Sequence, residues 1–495
     1  MENGADAHMH IGGIGIFEGP SLPEGVLFDH IASRLQLVPR FRQKLAFPPL
    51  NTGRPLWVDD PRFKLDYHVR RTALPSPGSD EQLYRLVSRV FSQRLDRTKP
   101  LWEIWIVEGL AEGRWGFVTK THHALVDGVG GIDILTALLD LTREAPEIPP
   151  DNWVPRREPS NLDMLRRGMA GIVRNATDIA EDAIRGVAQP KETVGEVTER
   201  ALGVAELLHA YAFPAPQTPL NRKPGPHRNF AVVPEPLTKY KEIRRTLSGT
   251  LNDVVLTVVA GGLRRLLADH GVAVDELAVR CLVPMSIRTK EGQGAAGNQI
   301  VVLVARLFVD VADPVERLAR THAEMERHKA GRQAVGARTM TQMESFAPPN
   351  VLAQAARLGF SSRLYNLLIT NVPGPQFPVY LRGRKMLAAY PVAFLAPEHT
   401  LAVAVLSYDG HITISLIGDA DALPDIDKLA DHIDASLHEL LAAAQASVPG
   451  PGKPRGSDSS LSHGMRKQQN SRQVSHPYPG QSRDDGARDS RISRR

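Results

Sequence analysis

The chain has 495 residues, 42% hydrophobic and 23% charged, a make-up that suits a soluble globular protein with apolar material for two cores. Its formal charge is +5, but ten Lys and Arg against four Asp lie in 451–495, so that segment carries +6 and leaves the body at −1. A nearly neutral body gives no electrostatic footprint for a nucleic-acid backbone, and the single cysteine, Cys281, rules out an intramolecular disulfide and reads as a core thiol in a reducing cytoplasm.

The chain opens on Glu2, Asp6 and polar side chains, which is not a secretory signal pattern. Helical spacing covers 23–37 and 81–95; strand-like runs at 102–108 and 114–123 flank a turn at Glu112-Gly113, an expected antiparallel hairpin. Ile132, Leu135, Leu138 and Leu139 follow Gly130-Gly131 as a short helix, and 162–186 reads as a long connecting helix. Residues 1–189 are therefore read as one α/β unit, and five prolines within 214–226 place an inter-domain crossover in 190–225. In a second unit, 226–447, helices are expected over 251–267, 314–340 and 425–444. Strands are expected at 279–283 and 300–309, and a hairpin at 403–408 and 411–417 around Asp409-Gly410. Residues 448–495, rich in Ser, Arg, Gly, Pro and Gln, read as a disordered basic tail. The longest apolar runs fall well short of the roughly 20 residues a membrane-spanning helix needs.

The segment richest in chemistry is Thr121-His122-His123-Ala124-Leu125-Val126-Asp127-Gly128-Val129-Gly130-Gly131, placed between a strand and a helix. Strand alternation puts His123 on the face of Phe117, Thr119 and Thr121, and His122 on that of Val118 and Lys120. Two imidazoles on opposite faces do not share an ion, and no HExxH-type spacing is present, so no metal is expected. An imidazole titrates near neutrality and suits general-base work, worth roughly 10²–10⁴-fold in rate. His123 is the candidate base, with His122 beside it; Asp127 reads as a loop anchor, and Gly128, Gly130 and Gly131 allow a tight turn with space for a substrate. Standing alone, the segment reads more simply as two structural histidines and a turn.

It is accompanied by Pro100-Leu101-Trp102-Glu103, Leu251-Asn252-Asp253, Val283-Pro284-Met285-Ser286-Ile287-Arg288, Gly297-Asn298 and Asn371-Val372-Pro373-Gly374-Pro375. In this order, over roughly residues 8–445, the sequence resembles the bacterial wax ester synthase/diacylglycerol acyltransferase family, a branch of the HHxxxDG coenzyme A dependent acyltransferases. Condensation domains and chloramphenicol-type acetyltransferases share the histidine signature; its combination with the other segments is far more specific. The resemblance implies an α/β (α+β) fold of two chloramphenicol acetyltransferase-like domains with mixed sheets and an active-site tunnel between them. It implies His123 as base, a mainly structural Asp127, and direct attack without a covalent acyl-enzyme. The donor would be fatty acyl-CoA, a substrate rather than a cofactor, and the acceptor diacylglycerol or a long-chain alcohol. A cytoplasmic protein in peripheral contact with a membrane or lipid droplet surface follows. Family members usually carry a Ser-Pro-Leu-Asp-type segment and a helix ahead of the stretch that matches Met9-His10-Ile11-Gly12, so the first element of that fold is expected to be absent; the basic tail has no counterpart.

Each accompanying segment has a plainer reading. Asn252 or Asp253 reads as a helix cap or, for Asn252, as a hydrogen-bonding group near the tunnel. Pro100, Leu101 and Trp102 read as the start of a strand with Trp102 in the core, or as lining of the site. Asn371 and Pro373 read as a rigid turn after a strand, or as a loop shaping the channel. Ser286 and Arg288 are candidates for coenzyme A phosphates, Arg288 equally for an ion pair with Asp127. His8 and His10 are expected to flank the first strand, and His209, His270 and His411 to be ordinary surface or core residues. Two competing functions stand beside the acyltransferase: a carrier-protein-dependent condensation-type enzyme, and a catalytically inactive lipid-binding homologue.

Overall fold

The computed structural model describes residues 8–49, 55–126, 134–146, 148–149, 151–166, 212–287, 299–330 and 359–447. The first half contains β1 (His10–Phe17), α1 (Glu24–Arg34), β2 (Gln43–Ala46), β3 (Leu56–Asp59), α2 (Leu65–His68), β4 (Val69–Ala73) and α3 (Asp80–Ser92). It continues with β5 (Trp102–Glu108), β6 (Trp115–His122), the single helical turn α4 (His123–Val126) and α5 (Ile134–Leu138). After these come β7 (Arg228–Pro236), α6 (Leu237–Leu247), α7 (Leu251–Asp269), β8 (Val279–Ile287), β9 (Gln299–Leu307) and α8 (Pro314–Ala330). The last elements are β10 (Leu367–Pro373), β11 (Tyr380–Leu381), β12 (Arg384–Val392), β13 (Leu401–Tyr408), β14 (His411–Asp419) and α9 (Ile426–Ala446).

Two six-stranded sheets organise the chain, in the orders β11-β12-β1-β6-β5-β4 and β7-β14-β13-β10-β8-β9. Both are mixed: β4 runs parallel to β5 in the first, and β10 runs parallel to both β8 and β13 in the second, with antiparallel pairs elsewhere. This is the two-domain α/β architecture expected. Residues 380–392, inside the 226–447 unit of the sequence reading, supply β11 and β12 to the first sheet, where β12 pairs with β1. Local patterning marks a strand but not the sheet it joins. The long helix expected over 162–186 is described only to residue 166, and the tail 448–495 lies outside the described residues.

Alternation sorts each strand into two faces. Val279, Cys281 and Val283, Leu401, Val403 and Val405, and Ile412, Ile414 and Leu416 turn one face of the second sheet onto α6, α7, α8 and α9. Trp102, Ile104 and Ile106, with Trp115 and Phe117, turn one face of the first sheet onto α1 and α5. The remaining faces meet around α3: Ile14, Ile16 and Val118 share a cluster with Leu83, Val87 and Phe91 of α3 and with Phe230, Leu368, Ala402 and Ala404 of the second sheet. The sequence of α3 suits this place. Ser79 and Gln82 form a reciprocal capping box, and Leu83, Leu86, Val87, Val90 and Phe91 recur at helical spacing. Among the described residues no single helix is long and apolar enough to cross a membrane. The bent pair α6 and α7 passes by composition, but α7 is core.

Candidate active site

Strand β6 runs antiparallel to β1, with His122 opposite His10 and Lys120 opposite Gly12, and it ends at His122. The His122 N–H donates to Leu101 O at 3.0 Å and the His123 N–H to Met9 O at 2.8 Å, so the main chain on either side fixes the histidine pair. His122 Nδ1 accepts the Ala124 N–H at 3.1 Å, which makes its ring a cap for the turn α4. His123 begins that turn, and its ring meets Phe394 edge-on at 5.3 Å between centroids. Phe394 belongs to the cluster of Val118 at the junction of the two sheets, not to that of Phe117. The expected shared face with Phe117, Thr119 and Thr121 is therefore corrected: alternation stops at His122, because His123 has already left extended backbone. The Thr119 hydroxyl is engaged by the main chain: it accepts the Gly13 N–H at 3.0 Å and donates to Gly13 O at 3.2 Å.

Asp127, Gly128, Gly130, Gly131 and Arg288 lie outside the described residues, as does the side chain of Ser286 on β8. Beyond the loop the chain is again firmly held. His30 Nε2 donates to Leu138 O at 2.8 Å, Arg34 donates to Ala137 O at 3.0 Å, and Arg34 forms a buried ion pair with Asp140.

Pro100, Leu101 and Trp102 are buried. Trp102 is a core residue: its indole donates to Phe41 O at 2.6 Å and its ring stacks on His68 at 4.5 Å, while His68 Nδ1 donates to Trp102 O at 2.8 Å. This segment reaches the histidines through the Leu101 carbonyl, which accepts the His122 N–H. Burial lowers the His68 imidazole below its ordinary value.

A second constellation forms where α7 begins. The N-cap is Thr250, not Asn252 or Asp253, and Asp253 closes the capping box by accepting the Thr250 N–H at 2.8 Å. Asp253 also accepts from His322 Nδ1 at 2.8 Å. Asn252, free of capping, accepts the side-chain amide of Asn371 at 3.1 Å. The segment Asn371-Val372-Pro373 is the end of β10, paired with Val405, Leu406 and Ser407 of β13, so the turn begins at Gly374, three residues later than the expected start at Asn371. Gly374 is required there, since a Cβ would stand 2.3 Å from Ser407 O.

Sequence reasoning passed over two partners of the histidines, Met9, through its carbonyl, and Phe394, and gave no role to Lys120, which lies fully buried two residues before His122. For Lys120 the available signal is a lysine in the middle of a strand that has no other Lys, Arg, Asp or Glu. His8 and His10 also stand close by, their rings stacked at 5.1 Å, with His10 at 6.2 Å from His122. Among the described residues Glu235, Asp434 and His438 could converge on a cation, but Lys239 Nζ already contacts Glu235 at 2.6 Å and His438 at 2.9 Å.

Comparison with known proteins agrees with this architecture. Residues 1–255 match the family model of the wax ester synthase/diacylglycerol acyltransferase catalytic domain, and residues 296–441 that of the WS/DGAT C-terminal domain. A probable diacylglycerol O-acyltransferase of Mycobacterium tuberculosis and a putative one of Mycobacterium bovis are each 30% identical over 437 residues, covering 88% of this chain and 92% of theirs. The solved wax ester synthase/diacylglycerol acyltransferase from Marinobacter aquaeolei VT8 superposes with a TM-score of 0.65 at 26% identity, covering 90% of this chain and 97% of that one. The starter condensation domain of rhizomide synthetase shares the fold, with a TM-score of 0.52 at 14% identity over 88% of this chain and 89% of that one. With both halves matched and the ring of His123 at the junction of the sheets, the chain belongs to the wax ester synthase/diacylglycerol acyltransferase family and is an acyltransferase.

Proposed function

We propose that this acyltransferase moves a fatty acyl group from coenzyme A to diacylglycerol or a long-chain alcohol, with His123 as general base. The observation that carries this reading is the position of His123, fixed by its own backbone and set at the first residue off β6 with its ring against Phe394 at the seam of the sheets. In the proposed reading the two substrates meet at this seam.

In this mechanism His123 accepts the acceptor's hydroxyl proton as the oxygen attacks the thioester carbonyl. The tetrahedral intermediate then collapses, the carbon–sulfur bond breaks, and the imidazolium returns its proton to the departing coenzyme A thiolate. No bond to the protein forms, because a thioester is already activated and needs only positioning, deprotonation of its attacker and a donor for the oxyanion. Asn252, its carbonyl oxygen engaged by Asn371, offers its NH₂ group as a donor for the oxyanion or the acceptor hydroxyl. The role proposed for Asp127, which lies outside the described residues, is structural rather than catalytic. Both substrates partition into lipid, so the enzyme works at a membrane or droplet surface.

Labelled palmitoyl-CoA offered with diolein or hexadecanol tests the reading. Triacylglycerol or wax ester that disappears in His123→Ala supports it. Undiminished product in that variant removes His123 from the mechanism; activity only with acyl groups on a carrier protein selects condensation-type chemistry, and lipid binding without turnover selects an inactive homologue.

A further inference from the structure

We infer that Lys120 is a positioning residue for acyl transfer: its buried ammonium ties the C-terminal end of α3 to the strand that carries His122 and His123, and so sets where the histidines stand against the second sheet. The inference rests on the proposed role of His123.

The Lys120 side chain is 0% exposed. Its Nζ donates to Val90 O at 2.9 Å and Gln93 O at 2.7 Å, carbonyls of the last turn and C-cap of α3; Val90 O also accepts the Gln93 N–H at 3.3 Å. A helix C-terminus favours a cation, which the helix dipole and the terminal carbonyls stabilise together. The approach depends on the residue facing Lys120 across β1. That residue is Gly12, where a Cβ would stand 1.9 Å from Thr119 O and 2.9 Å from Phe91 Cζ on α3. A glycine there lets the helix settle close enough for its carbonyls to reach the ammonium.

The other side of α3 grips the second sheet. Ser92 Oγ accepts the Arg228 N–H at 2.9 Å where β7 begins, and Tyr84 packs edge-on against Phe230. The helix thus bridges the sheets, and Lys120 is its attachment on the histidine side. Two residues on, on the same face of an extended strand, stands His122, whose ring caps the turn opened by His123. A shift at Lys120 is therefore carried to the base.

The charged groups around the ammonium are few. Glu103 of β5 lies 3.7 Å away, with its oxygens shared by Arg70 of β4 and the Trp105 indole, each at 3.2 Å; β1 adds His10, the partner of His122, and α3 contributes carbonyls. Burial lowers the Lys120 pKa to about 8, Arg70 adds to the lowering, and Glu103 opposes it. Loss of this proton leaves an amine with fewer donors for the carbonyls, so activity should fall on the alkaline side. An ion pair serving stability alone tolerates an apolar replacement of similar volume.

The test compares wild type, Lys120→Met and Lys120→Arg in palmitoyl-CoA and diolein turnover from about pH 6 to 10, together with amide hydrogen exchange over residues 115–126. Lys120→Met is expected to fold, to lose kcat by about tenfold or more with KM for palmitoyl-CoA little changed, and to exchange faster at 122–126. Lys120→Arg is expected to keep most activity and to move the alkaline limb upward by about one pH unit or more. Wild-type kcat and pH profile in Lys120→Met, or unchanged exchange at 122–126, overturns the inference. If neither variant folds, exchange in the wild type decides: protection at 122–126 lost through the lysine titration supports it, and protection following only intrinsic base catalysis overturns it. If the wild type transfers no acyl group, the proposed function fails while the exchange measurement still reads the role of Lys120.

Discussion

Asn371, near the end of β10, donates its side-chain amide to the Asn252 carbonyl oxygen at the start of α7, at 3.1 Å and across 119 residues of chain. The bond orients Asn252, because an amide whose oxygen is engaged must present its NH₂ group elsewhere. Asn371→Ala should therefore act through Asn252. We expect a stability loss of about 1 kcal/mol, the usual worth of one such bond, with kcat reduced more than KM is raised. Asn252→Ala should lower kcat further, and the double variant should be no worse than Asn252→Ala alone. Steady-state kinetics of the three variants check this; additive losses would separate the two asparagines.

The two histidines should respond differently. His123→Ala is expected to lose roughly 10²–10⁴-fold in kcat, the usual contribution of a general base, with its melting temperature nearly unchanged. His122→Ala loses the bond from the Ala124 N–H and should cost about 1 kcal/mol of stability, as the loss of a helix cap does. His122→Asn can accept the same N–H and should recover part of both stability and turnover. An equal loss of turnover in His122→Asn and His123→Ala, at unchanged stability, would give His122 a part in the chemistry.

The elements of the site were legible where local rules govern them. The turn at Asp409-Gly410, both residues at positive φ, joins β13 to β14 as the dipeptide predicts. The strand 102–108 and the core place of Trp102 follow from alternation. Long-range relations were not legible. Nothing near residue 384 says that β12 pairs with β1, and nothing near Asn371 says that its partner is Asn252. The alternation rule also misplaced His123, because the signature marks the chemistry but not the residue at which extended backbone turns helical. Lys120 was named only as a facing direction, although a lysine beside Val118 on an inward face already called for carbonyls and a carboxylate around it.

The second sheet's helices offer a test of packing. At Gly261 of α7 a Cβ would lie 2.1 Å from Ser436 Oγ, and at Gly262 it would lie 2.4 Å from Ile433 Cγ1 and 3.0 Å from the Ile433 Cα, both on α9. The obstacles at Gly261 are the side-chain ends of Ser436 and of Arg317, whose Nη1 would stand 2.5 Å away, and these can shift, but helix backbone cannot. Gly262→Ala should cost about 1–3 kcal/mol, as overpacking does, and Gly261→Ala less. Urea denaturation of the two variants measures the order, and a Gly262→Ala protein as stable as wild type would mean that α9 shifts freely against α7.

Acid should weaken the fold through histidines buried in neutral form. Burial holds His30 and His68 below their ordinary value of 6.5. A base whose folded pKa is lowered binds fewer protons than the unfolded chain does at pH values between the two pKa values. Its contribution to stability is thus full above 6.5 and is lost as the pH falls from there toward the folded value. The melting temperature should therefore decline below about pH 6.5. His68→Asn should be less stable at neutral pH, having lost its stack on Trp102, but should show a shallower decline. The same titration reaches the site, since protonating His68 disturbs Trp102, and the neighbouring Leu101 carbonyl holds the His122 N–H. Turnover measured after brief acid exposure should fall together with Trp102 fluorescence, and an acid limb of turnover that keeps its shape in His68→Asn would mean that His68 does not carry the effect of acid to the site.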